Sequence, residues 1–127
     1  KLKELAYMHA EGFAAGELKH GPIALIEPGS PVFVVLPPKG RDVLHDKMVS
    51  NLQEIRARGA RTIVLVEDGD HSVDPYADHL IRLPRVPTLM QPLVATVPLQ
   101  VFSCELATAK GHDVDQPRNL AKSVTVE

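Results

Sequence analysis

Two short apolar runs with a helical pattern between them constrain this chain most. "PVFVVLP" (31–37) is continuously apolar with proline at both ends, and "RTIVLVED" (61–68) repeats the pattern before ending in charge. Strands buried on both faces read this way, because neither face calls for polar alternation. Between them, "DVLHDKMVSNLQEIRARG" (42–59) places Leu44, Met48, Leu52 and Ile55 at helical spacing on one face. Asp42 suits the start of that helix and Gly59 lies just past its end. Strand, helix and strand in this order predict a right-handed crossover between parallel strands. "HLIRLP" (79–84) adds a third, shorter strand. Three strands make a thin sheet, and helices come before the first of them. The sequence therefore predicts an α/β doubly wound parallel sheet flanked by helices, incomplete at its N-terminus, with at least one strand lying upstream.

The flanks carry the other helices. "KLKELAYMHAEGFAAG" (1–16) puts Leu2, Leu5, Ala6, His9 and Phe13 on one helical face, with Gly16 to end it. "GELKHGPIALIEPGS" reads as a loop and a short helix with Pro22 at its first position. "LMQPLVATVPLQVFSCELATAKG" (89–111) reads as a long apolar helix stopped by Gly111, in which Pro98 is expected to cause a kink or a break. The closing "DQPRNLAKSVTVE" is neither helix nor core strand: turn chemistry comes first, then Lys122 between Ala121 and Ser123, then Val124-Thr125-Val126. A disordered tail carries more charge and fewer β-branched residues, so this one reads as built to pack down and hold Lys122 in place. The chain opens abruptly without an initiator Met, and the expectation is a piece of something longer.

Composition removes several classes of function. The 127 residues suit one modest domain. Aromatics at 4% argue against base-stacking folds and sugar-stacking clefts. A net charge of -2 without a basic run implies neither a nucleic-acid nor a membrane partner. Pro, Gln or charge interrupts each apolar stretch before the roughly 18 residues of a spanning helix. The single cysteine, Cys104, excludes an internal disulfide, fits a reducing, cytoplasmic setting, and reads as an inert core thiol in the apolar helix. His71 and His79 flank an acidic loop as solvated residues, and no HExxH or Cys/His pairing points to a metal. GxGxxG after a strand, GxxxxGK[ST] and a Ser/Thr-rich phosphate cradle are all missing, and no cofactor is expected.

Four residues remain open on spacing alone. Lys1 and Glu4, three apart on a helix, read as a surface ion pair. His20, just before Gly21 and Pro22, reads as a structural or solvated loop histidine, and Lys122 as a surface lysine on a packed tail.

Their surroundings add to this. "KLKELAYMHAEGFAAGELKHGPIALI" and "VPLQVFSCELATAKGHDVDQPRNLAKSVTVE" resemble the two ends of the last SIS (sugar isomerase) domain of the glucosamine-6-phosphate synthase family. The resemblance runs from Lys1 to Glu127, and "DVDQPRNLAKSVTVE" is its most specific part. It implies that residues 1–127 are part of a second, C-terminal SIS domain with a catalytic tail at 112–127. Chains of that family carry a glutaminase domain and two SIS domains, and convert fructose 6-phosphate and glutamine-derived ammonia into glucosamine 6-phosphate. The resemblance assigns imine formation with the sugar to Lys122 and proton transfer between carbons 1 and 2 to Glu4. It places Lys1, Ala121 and Lys122 against substrate, and gives His20 to ring opening across a homodimer. The implied partners are fructose 6-phosphate, the upstream glutaminase and first SIS domain, and a second copy.

Those residue types suit the chemistry. A lysine of depressed pKa forms an imine that acidifies the neighbouring C–H. One carboxylate faces both carbons, and imidazole exchanges protons near neutrality. The departures matter as well. The family's phosphate-binding loops belong to the preceding SIS domain, the strand before "KLKE" is missing, and Cys104 does not match the N-terminal glutaminase nucleophile. The chain alone is therefore expected to be inactive. The rival readings are a non-catalytic SIS module that senses sugar phosphates, and a related SIS sugar-phosphate isomerase or deglycase without a glutaminase.

Overall fold

The computed structural model describes residues 1–118, so Ala121 and Lys122 lie outside the described residues. The chain divides into a sheet unit, Phe13–Ala95, and a terminal unit made of Lys1–Gly12 with the chain from Thr96 onward.

In the sheet unit, β1 (Pro31–Val35), β2 (Arg61–Glu67) and β3 (His79–Leu83) form a parallel sheet in that order. The register aligns Val34 with Val64 and Val64 with Leu80, so alternate residues share a face. On that face Val34, Leu36, Val64 and Val66 pack with Leu52 and Ile55 of helix α2 (His45–Ala57). Leu65 on the opposite face is also fully buried, as the unbroken apolar run predicts. Complete burial of such side chains contributes about 1.5–3 kcal/mol each.

Helix α2 begins later than its pattern suggests. The Asp42 carboxylate accepts the Leu44 N–H at 2.8 Å, which forms a turn ahead of the helix instead of a cap on its first residue. Leu44 is consequently 52% exposed and leaves the core face to Met48, Leu52 and Ile55. The end is as expected. Gly59 has φ 87°, its N–H bonds the Arg56 carbonyl at 2.9 Å, and the Ala60 N–H bonds the Ile55 carbonyl at 3.3 Å. A Cβ at Gly59 would also meet the Pro28 Cα at 3.0 Å, so glycine is required twice over.

The sheet's polar groups are closed off locally. Buried Thr62 donates its hydroxyl to the Tyr76 carbonyl at 2.9 Å, and its N–H bonds the Asp78 carboxylate at 2.7 Å. Arg56 pairs with that carboxylate at 2.7 Å, and with the Thr62 bonds holds the Asp78 carboxyl down at about 2. Arg41, following β1, ion-pairs with Glu67 at the end of β2 and donates to the Val86 carbonyl beyond β3. That clamp sits over the carboxyl ends of the strands.

The N-terminal helix differs most from expectation. Only Leu2–Leu5 (α1) is helical, not 1–16, and residues 17–20 and 22–25 are short 3₁₀ turns, with Pro22 opening the second. Tyr7 adopts φ 52° and ends α1, and His9 and Phe13 are exposed, so the expected face joins a core only through Leu2, Leu5 and Ala6. Further turns would bury nothing more, and helix without burial is marginal in water.

Helix α3 (Gln91–Ala109) passes through Pro98 without interruption. One lost N–H is outweighed by the helical bonds on either side. Gly111, at φ 75°, closes it with the same pair of bonds seen at Gly59: Gly111 N–H to Thr108 at 2.9 Å and His112 N–H to Ala107 at 3.0 Å. Ala95, Ser103 and Ala107 form its buried stripe, while Leu93, Val97 and Val101 are exposed. Cys104, three residues beyond Val101, is exposed as well, which corrects the core-thiol reading: small residues occupy the buried side of this helix. By length and composition Thr88–Ala109 could cross a membrane, so the proline and glutamine do not exclude it as expected. A helix covered in a soluble protein passes the same test.

Candidate functional site

The terminal unit is built around a small apolar seat. Leu5 and Ala6 are buried against Ala107, with Leu2, Leu106 and Val114 packed beside them. That seat fixes the turn of α1, so Leu5 faces inward while Lys1 and Glu4, three apart, face outward. The Lys110 ammonium donates to the Ala6 carbonyl at 2.6 Å, satisfying the C-terminal end of α1.

Lys1 donates to the Glu4 carboxylate at 2.8 Å. This bond, and next the ammonium charge, hold the Glu4 carboxyl below its ordinary value. The same bond raises the Lys1 ammonium above its own. Glu4 is therefore held in its carboxylate form. The pair favours the charged form of both groups, an ammonium at Lys1 and a carboxylate at Glu4.

The structure brings Lys1 and Glu4 together, the pairing that spacing alone implies. His20 belongs to the sheet unit and stands exposed at the end of the 3₁₀ turn Glu17–His20. His71 pairs with Asp74 at 2.7 Å on the surface, as a solvated loop residue would.

One buried polar cluster escapes the sequence reading. His45, the first residue of α2, is buried and its Nε2 lies 2.8 Å from the carboxylate of buried Asp70. Burial pushes the Asp70 carboxyl up, yet hydrogen bonds from Ser72 and His45 outweigh it and hold the group below its usual value. Within "DVLHDKM" nothing marks this histidine as buried, since its partner is 25 residues away. The cluster ties the start of α2 to the loop after β2.

The family model described as the SIS domain matches residues 1–110, and the chain belongs to that family. Along its full length it is 80% identical to a Streptomyces coelicolor protein named glutamine–fructose-6-phosphate aminotransferase (isomerizing), and 75% identical to one of the same name from Corynebacterium diphtheriae. It covers 21% and 20% of those proteins, so it spans about a fifth of their length. Among solved structures, the C-terminal domain of glucosamine-fructose-6-phosphate aminotransferase from Francisella tularensis matches at a TM-score of 0.78 and 42% identity, over 91% of this chain and 32% of that one.

Proposed function

We propose that the chain is part of the isomerase portion of a glutamine–fructose-6-phosphate aminotransferase, which makes glucosamine 6-phosphate from fructose 6-phosphate and glutamine-derived ammonia. The observation that carries this reading is the 80% identity along the whole chain to a protein of that name. The Lys1–Glu4 geometry supports it from the chemical side.

In this reading Lys122 condenses with the C2 ketone of the open-chain sugar and releases water. Ammonia then displaces the lysine and leaves an imine at C2. Glu4 takes a proton from C1 and returns it to C2, which moves the carbonyl to C1 and leaves the amine on C2. Lys1 keeps Glu4 ionised and, with Ala121, lies against the substrate. His20 opens the sugar ring in the site of a neighbouring copy, so the working enzyme is a homodimer. In this reading a glutaminase domain and a first SIS domain lie upstream in the same protein. The setting is the cytoplasm.

The test is borohydride reduction of the full-length enzyme with fructose 6-phosphate. The expected product is a sugar adduct on Lys122, lost in Lys122→Arg, while glutamine hydrolysis persists. An adduct on another lysine, or normal synthesis by the Arg variant, would overturn the assignment.

A further inference from the structure

Among the described residues the three α-helices each end in the left-handed region, and two of them use glycine there. Gly59 closes α2 at φ 87° and Gly111 closes α3 at φ 75°. After α1 the same kind of position is occupied by Tyr7, at φ 52°. A bulky side chain is disfavoured in that conformation, and such strain persists only where the surroundings over-determine it.

The surroundings of Tyr7 are the start of the C-terminal tail. Its hydroxyl accepts the Arg118 backbone N–H at 2.8 Å. The Arg118 guanidinium lies 4.2 Å from the centre of its ring. The His112 ring meets it edge-on, with centroids 4.7 Å apart at 63°. Between those two residues the tail is folded by Asp113, whose carboxylate accepts the N–H groups of Asp115 at 2.9 Å and Gln116 at 3.1 Å. Val114 then enters the apolar seat of Leu5, Ala6 and Ala107.

We infer that Tyr7 is a positioning residue: it seats residues 112–118 of the tail against the turn that carries Glu4, and so anchors the chain four residues ahead of Lys122. The left-handed backbone turns the ring from the end of α1 toward the tail, a direction a helical residue at 7 would not give. Arg118 precedes Lys122 by four residues, a stretch that spans at most about 14 Å of extended chain. Confining two reacting groups in this way raises their effective concentration without touching the reacting atoms. The inference rests on the reading of Glu4 and Lys122 as partners in the reaction.

The test uses the full-length enzyme and two readouts, deuterium exchange of the Arg118 amide and steady-state turnover of fructose 6-phosphate. Tyr7→Phe keeps the ring but removes the acceptor. Exchange at Arg118 should rise and kcat fall, each roughly tenfold, with KM and melting temperature unchanged. Tyr7→Ala also removes the cation–ring and ring–ring contacts, and its kcat should fall on the order of 100-fold. A merely structural role would lower the folded fraction and leave kcat per folded molecule intact. If Tyr7→Ala does not fold, Tyr7→Phe decides alone, because it preserves the packing. Wild-type exchange and turnover in folded Tyr7→Phe would overturn the inference. Failure of the underlying reading is separate: it shows as no borohydride adduct on Lys122 in the wild-type enzyme, and exchange at Arg118 then still decides whether Tyr7 seats the tail.

Discussion

Among the described residues, the main cluster of the sheet unit holds eight buried residues, from Val34 through Val73, whereas that of the terminal unit holds Leu5, Ala6 and Ala107. The first unit adds polar clamps to a large apolar core, whereas the second has little core and leans on directed contacts. Lys110 reaches the Ala6 carbonyl, Arg118 reaches Tyr7, and Lys1 reaches Glu4. Apolar burial is non-directional and tolerates modest shifts, whereas each of these polar contacts depends on geometry. The unit with the small core is also the one that presents Lys1 and Glu4 at its surface. Residues that act on a ligand have to stay reachable, which limits how much core can form around them.

If this division is right, substitutions in the two units should fail in different ways. The largest effect is expected for Glu4→Gln in the full-length enzyme, about 10²–10⁴-fold in glucosamine 6-phosphate synthesis with an unchanged melting temperature. Leu52→Ala should do the opposite. It empties space in the sheet core and should cost about 2–5 kcal/mol in urea unfolding of the chain, while the Lys1–Glu4 pair stays intact. Equal loss of stability from both substitutions would erase the distinction.

A smaller effect is expected at Gly59. Alanine there meets the Pro28 backbone and adopts a left-handed φ, which should cost about 1–3 kcal/mol in the same measurement. Gly12, with open space around it and no positive φ, is the control that should stay near neutral. The smallest effect concerns acid. The Asp78 carboxyl is depressed in the folded chain to about 2, so its contribution is present above the ordinary carboxylate range and disappears as pH falls from about 4 through about 2. Asp78→Asn should flatten the acid limb of an unfolding-versus-pH curve over that window. An unchanged limb would mean that Arg56 and Thr62 hold nothing there.

Most of the sheet unit was legible in the sequence because buried parallel strands and an amphipathic helix leave periodic marks. "PVFVVLP", "RTIVLVED" and Gly59 each fell where the pattern put them. The misreadings share one cause, which is that periodicity records what a face could bury and not what it meets. Residues 1–16 have a helical pattern, yet His9 and Phe13 find no core and the helix stops at Leu5. Leu44 and Cys104 were assigned to core for the same reason and are exposed. At the site, the Lys1–Glu4 pair was legible because its partners are three residues apart. Tyr7 with Arg118, and His45 with Asp70, were not, because their partners are distant in sequence. The roles given to Glu4, His20 and Lys122 came from motif resemblance, since spacing alone leaves each a surface residue.

The central claim is that the terminal unit divides the chemistry between two residues, with Glu4 moving the proton and Lys122 holding the sugar. The measurement closest to it uses full-length wild-type and Glu4→Gln enzymes in deuterated water, reading deuterium at C1 of fructose 6-phosphate and at C2 of the product together with the borohydride adduct on Lys122. The account expects exchange and adduct in the wild type, and in Glu4→Gln an undiminished adduct with exchange reduced at least 100-fold. Wild-type exchange in Glu4→Gln would contradict it and move the proton to another group.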